Sequence, residues 1–279
     1  MAEKKQHKIV SASSGEEIKA APKAAPKAAP KAAPNNAKAA PQGNASGSDP
    51  KKLRILAWVF WVVAIVCEVL AVLAYSGKLQ ISSIPTLTVV IGLLVIDLAL
   101  VIVGAQFWKK ANHIDPASEA NKLKFWLWNN MGVIVCCFAF IPFIIIALTD
   151  KNADPKLKKW AVIAACAALL LGGLTSYDWN PVSEEGLAQA TETLQDTQVY
   201  WTPFGTKYHT HEDCQYLNRT DTLTAGTVDE AIAAGRSTLC SACAKKDNLT
   251  VGENGAVTGE APAAAEAVAD AVENLVPAA

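Results

Sequence analysis

The chain has 279 residues, 51% of them hydrophobic and only 18% charged, with a formal net charge of −1 at pH 7. Those averages conceal three blocks: residues 1–53 are polar and basic, 54–177 are dominated by apolar runs, and 178–279 return to soluble composition with an excess of acid towards the end. Such blocks exclude a single continuous core and argue for separate units.

In the first block, 1–53, the repeat Lys-Ala-Ala-Pro runs from Lys19 to Pro34. A proline every fourth residue removes backbone donors and clashes with helical turns, so the arm is expected to be disordered with polyproline-like stretches. Its lysines would attract anionic lipid headgroups, an acidic partner or nucleic acid without sequence preference. A solvated tail whose charge helps set membrane orientation accounts for the arm equally well.

Apolar stretches at about 54–75, 86–107, 125–148 and 159–177 each approach the roughly 20 residues that a helix needs to cross a bilayer. Trp58, Trp61, Trp108, Trp126, Trp128 and Trp160 lie near their ends, where interfacial belts form. The first run starts only after about fifty polar residues, so the first span is read as its own insertion signal. With four spans, Lys51, Lys52, Arg54, Lys109, Lys110, Lys122 and Lys124 share one side, and Lys78, Lys151, Lys156, Lys158 and Lys159 the other. That balance favours a multi-pass protein of the cell membrane with both termini in the cytoplasm.

Glu68 in the first span and Asp97 in the second interrupt the apolar pattern. A carboxylate at such depth is costly, so each is expected to face the bundle interior, take up a proton or border water, the two lying roughly 5–10 Å apart in depth. They are candidates for an ion or proton pathway, and equally for interhelical contacts that fix packing. Asn129 and Asn130 enter the third span as hydrogen-bonding groups, Pro142 can kink it, and Gly172 and Gly173 allow close helix approach in the fourth. Cys67, Cys136, Cys137 and Cys166 lie in the spans as small hydrophobes.

Residues 178–198 read as a linker or short polar helix. A module over 199–246 opens with the strand-like run Val199 to Pro203 and a turn at Gly205 to Lys207. Thr227 and Glu230 then form a capping box, and Gly235 stops the helix they begin. The acidic, Ala-rich tail 247–279 is expected to be solvated, with a transient helix around 262–275.

Within the module, His209 and Cys214 are spaced His-x4-Cys, and Cys240 and Cys243 follow as Cys-x2-Cys. Four nitrogen and sulfur donors so arranged suit a closed tetrahedral zinc site. The cysteines of this soluble part are odd in number, which favours metal over disulfides in a reducing compartment. His211 is an alternative ligand. A module of this size is expected to draw much of its folding free energy from the metal.

The stretch Gly-Thr-Lys-Tyr-His-x4-Cys-Gln-Tyr-Leu, followed by Glu-Ala-Ile-Ala-Ala-Gly and Cys-x2-Cys, resembles the small Ada-type metal-binding fold, known from the Ada DNA-repair methyltransferase and modules attached to other bacterial proteins. The resemblance covers about 199–246. It implies a zinc-stabilised fold with His209, Cys214, Cys240 and Cys243 closing the shell. The family pattern begins with Cys-x3-Cys, whose first cysteine also accepts a methyl group. Here His209 holds that position and the spacing is one residue longer, and an imidazole cannot replace the metal-activated thiolate, so methyl transfer is not expected.

The expected architecture is therefore a membrane all-α domain of four transmembrane helices joined to a small α+β zinc-binding module, with a disordered basic N-terminal arm and an acidic C-terminal tail. No nucleophile–base pair or phosphate-cradling loop stands out, so no catalysis is assigned. The leading expectation is a membrane protein displaying a zinc module for interaction or sensing at the cytoplasmic face. An ion or proton transport component using Glu68 and Asp97 comes second, and membrane-tethered nucleic-acid binding third, because the module lacks a dense basic face.

Overall fold

The computed structural model describes residues 7–18, 49–81 and 83–259. The Lys-Ala-Ala-Pro repeat and the expected helix at 262–275 lie outside the described residues. The chain divides into a unit spanning Asp49–Glu184 and another that joins the N-terminal segment to everything from Glu185 onward.

The first unit is helical: α1 (Pro50–Tyr75), α2 (Thr86–Ile114), α3 (Lys122–Asn129), α4 (Met131–Thr149) and α5 (Pro155–Ser176). Two of these helices start on the same device. Asp49 accepts from the Lys51 amide with Pro50 in the first turn, and Asp154 accepts from Lys156 and Leu157 with Pro155 behind it. Aspartate satisfies donors that the helix leaves open, and proline at that position lacks only an amide that had no partner.

Among the described residues, α1, α2, α4 and α5 are long and apolar enough to cross a membrane. Their packing has the polarity of a lipid-facing bundle. Alanines such as Ala64, Ala71, Ala139 and Ala165 line the interior, while Phe138 and Leu170 point outward at 73% and 66% exposure. Small residues inside let backbones approach, and large apolar ones outside match hydrocarbon.

Two details differ from the sequence reading. The third span is not one helix: it breaks at Asn130 between α3 and α4, where the Asn130 side-chain amide donates to the Trp126 carbonyl. Pro142 lies inside α4. Trp61 and Trp108 do not face outward but are buried, packed in a row with Trp58 and Trp128 at centroid distances of 5.1–5.5 Å along Trp58, Trp61, Trp108 and Trp128. Arg54 closes this row, its guanidinium 5.4 Å from the Trp128 ring and donating to the Asp115 carboxylate at 2.7 Å. An aromatic face and a carboxylate together compensate a guanidinium drawn toward an apolar interior.

The second unit contains α6 (Glu184–Thr193), β3 (Val199–Trp201), β4 (Lys207–Tyr208), β5 (Thr222–Gly226), α7 (Val228–Ala233), β6 (Thr238–Leu239), α8 (Ser241–Lys246), β7 (Thr250–Val251) and β8 (Val257–Thr258). To these the N-terminal segment adds β1 (Lys8–Ser11) and β2 (Glu17–Ile18). The main sheet has the order β2-β1-β5-β3, with β1 parallel to β5 and the other pairs antiparallel. Strands β4 and β6 pair in parallel, and β7 and β8 form a hairpin.

This unit extends beyond 199–246. Residues 8–11 and 17–18, expected to be disordered, are strands in its sheet. The expected linker contributes Ala190 and Leu194 to its apolar core, and the expected tail contributes Leu249 and Val257. The capping box of Thr227 and Glu230 and the left-handed Gly235 (φ 80°) are in place at the two ends of α7.

Candidate metal centre

Each of the four donors is delivered by the end of a regular element. His209 follows β4, and its amide and carbonyl both bond to Tyr200 of β3, at 2.8 and 2.7 Å. Cys214 opens a short 3-10 turn over Gln215–Leu217, its amide bonded to the His211 carbonyl. Cys240 sits between β6 and α8, with its amide held by the Tyr208 carbonyl at 2.9 Å. Cys243 lies in the first turn of α8, three residues on, so both thiols leave the same helix start. Strand β6 lies between α7 and this pair, which sits at the start of a further helix.

The ligand atoms of His209, Cys214, Cys240 and Cys243 all lie within 4.8 Å of one another. His209 Nδ1 and Cys243 Sγ are 3.7 Å apart. A tetrahedral ion with metal–sulfur bonds of about 2.3 Å and metal–nitrogen bonds of about 2.0–2.1 Å sets its ligands roughly 3.5–3.8 Å apart, so the group can hold a metal ion with small side-chain adjustments. All four residues are buried, and the three cysteines belong to the apolar core of the unit. The metal site and the hydrophobic core are therefore continuous, where the sequence reading expected a module with little core of its own.

Burial shapes the protonation of these groups. It holds the His209 imidazole down at about 4, with Lys207 adding to the shift. Burial also pushes the Cys214 and Cys243 thiols up; neighbouring thiols add to the rise at Cys214, whereas backbone hydrogen bonds and the contact with Cys214 offset part of it at Cys243. Without a cation the imidazole and these two thiols are thus neutral. A divalent ion reverses the balance for the thiols, because it stabilises thiolate directly and leaves the neutral imidazole ready to coordinate.

His211 does not join the cluster. Its Nε2 pairs with Asp247 Oδ1 at 2.5 Å, and the other Asp247 oxygen accepts from the Thr210 hydroxyl. Asp247 is 8% exposed and therefore pins the loop between His209 and Cys214 from beneath. Sequence reasoning missed Asp247, which lies 36 residues from His211 in a stretch assigned to the tail.

In the helical unit, Glu68 of α1 and Asp97 of α2 both face the interior, at 7% and 0% exposure. They stand on the packed neighbours α1 and α2, within the range at which each carboxyl group feels the other's charge. Among the described residues no hydrogen-bond partner of good geometry is in place for any of their four oxygens. Of the two glycines expected at close helix contacts, Gly172 is one and Gly173 is not. A Cβ on Gly172 would lie 2.7 Å from Cys136 Sγ, whereas one on Gly173 would meet nothing within 4 Å.

Comparison with protein-family models, curated proteins and solved structures gives no match for this chain.

Proposed function

We propose that the chain is a multi-pass protein of the cell membrane that displays a structural zinc module for interaction or sensing at the cytoplasmic face. The observation that carries this reading is the convergence of His209, Cys214, Cys240 and Cys243 in a buried cluster, in a chain that also carries helices of spanning length. Three sulfurs and an imidazole form a soft donor set that suits zinc, and four protein ligands leave no open position for a reacting water. An Ada-type module remains the fold this donor pattern resembles, with a structural role in place of methyl transfer.

The pairing of β1 with β5 supports an even number of spans. Residues 8–11 precede the first candidate span and 222–226 follow the fourth, yet they share a sheet. That pairing supports a topology with both flanks of the helical unit at one membrane face, and the distribution of lysines favours the cytoplasm for it. Lys158, within the opposing basic cluster, donates to the Leu148 and Asp150 carbonyls at 2.8 and 2.9 Å, so part of that positive charge caps the end of α4. Reporters fused to one terminus or the other in intact cells test this topology. Both are expected to read the cytoplasmic side, and opposite readings at the two ends would remove it.

A second reading rests on Glu68 and Asp97. Two buried carboxyl groups on neighbouring helices, with unpartnered oxygens, suit a proton or small-cation site. Reconstituted vesicles test it: proton- or cation-dependent flux abolished by Glu68→Gln and Asp97→Asn supports transport, and absence of flux in the unaltered chain removes it.

A further inference from the structure

The strand β5 is paired on both sides by segments of very different origin. On one edge lies β3, its near neighbour in sequence. On the other lies β1, in parallel register over Lys8↔Thr222, Ile9↔Leu223, Val10↔Thr224 and Ser11↔Ala225. Within the β1–β2 hairpin the amides alternate in direction. Those of Lys8 and Ala12 donate to the Asp221 and Ala225 carbonyls, both at 2.8 Å, while that of Ser11 donates to the Glu16 carbonyl beside the returning strand. By the same alternation the Val10 amide faces β5.

Side chains contribute little to this attachment. Ile9, opposite Leu223, is the one buried residue of segment 7–17. His7 adds a bond from its ring to the Thr220 carbonyl at 2.8 Å, and Lys8 pairs with Glu17 of its own hairpin. Ala12, partly buried, also packs against the core. A row of backbone bonds with two small apolar contacts is the pattern by which an extended peptide adds to a sheet edge. Two short strands of this kind have marginal stability by themselves, so the hairpin owes its structure to β5. If it leaves, β5 presents unpaired amides and carbonyls beside buried Leu223 and Ala225, an edge that calls for another strand.

We propose that the β5 edge is a strand-docking site for an extended peptide, and that segment 7–18 is its built-in, exchangeable occupant. The ligand runs parallel to β5, offers amide donors at alternate positions and places a β-branched apolar residue opposite Leu223. Covalent connection keeps the chain's own segment at an effective concentration on the order of millimolar, so a competing strand enters only when it binds better or when the segment is drawn away. The site is independent of which metal occupies the cysteine cluster.

The test uses a chain lacking residues 1–18, purified in detergent and titrated with a fluorescent peptide of residues 7–18. Hydrogen-exchange protection of 228–239 reports that the unit is folded, whatever its metal content. The expected result is saturable binding to the truncated chain, at least about tenfold weaker binding to the full chain because its tethered segment competes, and loss of binding for peptides carrying Ile9→Asp or Val10→Pro. The full chain with Ile9→Asp, whose own anchor is weakened, is expected to bind the unaltered peptide as the truncated chain does. Equal binding to full and truncated chains, binding that ignores the two peptide substitutions, or no binding to a protected truncated chain overturns the proposal. Loss of protection in both the truncated and the Ile9→Asp chains also overturns it, because the hairpin is then an integral part of the fold. Full chains that exchange hairpins as dimers, seen by peptide-reversible cross-linking between two tagged copies, support the site with a second copy as its occupant.

Discussion

Asp247 is none of the four candidate ligands, yet it holds the loop that joins two of them. Its carboxylate holds Thr210 and His211, the two residues after His209, and so fixes the loop that leads to Cys214. Asp247→Ala is expected to weaken zinc binding by about 10–100-fold with stoichiometry unchanged, the usual range for a group that orients ligands. Competition with a chromophoric chelator measures it. His211→Ala should likewise retain the metal, since its ring serves Asp247 and lies outside the cluster. The pH dependence follows from the shifts at the same site. The thiols of Cys214 and Cys243, held up by burial, carry protons at neutral pH that the metal must displace. His209, held at about 4, is already neutral and adds no competition until the pH approaches that value. Apparent affinity should therefore fall as pH falls from about 8 to about 5, by at least about tenfold per unit, the slope expected when at least one proton leaves on binding. An affinity flat over that interval would contradict these protonation states.

At the level of elements, the glycine pair on α5 offers a contrast within one helix turn. Gly172→Ala would drive a methyl group into Cys136 Sγ, while Gly173→Ala points into open space. The first should lower the stability of the detergent-solubilised protein by about 1–3 kcal/mol, the usual cost of overpacking, and the second should leave it within about 0.5 kcal/mol, as thermal unfolding of the two variants would read. Elements whose signal is local were legible in the sequence: the four spans, the capping box at Thr227, and the donor spacing of the cysteine cluster. Elements made by distant partners were not. The pairing of β1 with β5 crosses the whole helical unit, and nothing in Lys8–Ser11 distinguishes a docked strand from a polar arm. Trp61 and Trp108 lie where interfacial tryptophans would, but a row of packed rings and Arg54 draw them inward. Helix length gives the depth of Glu68 and Asp97 but not the rotation that turns them toward each other.

For the whole molecule, the two units pose different problems for the chain and solve them differently. The helical unit buries alanines and leaves large apolar side chains facing outward, an arrangement that matches hydrocarbon. The other unit gathers its core from α6, the strands and the stretch after α8, with three cysteines built into it. Without a cation the thiols of Cys214 and Cys243 stay protonated in that core, and a metal bound there would couple folding to metal supply. The central claim is that these four residues hold zinc in the intact protein. The most direct measurement is elemental analysis with X-ray absorption at the zinc edge on the full chain purified from membranes without chelator, beside His209→Ala and Cys243→Ser. The account predicts one zinc per chain with three sulfur neighbours near about 2.3 Å and one nitrogen near about 2.0 Å, as a tetrahedral site requires, and loss of that metal in both variants. A folded, metal-free protein, or zinc retained unchanged in both variants, would contradict it.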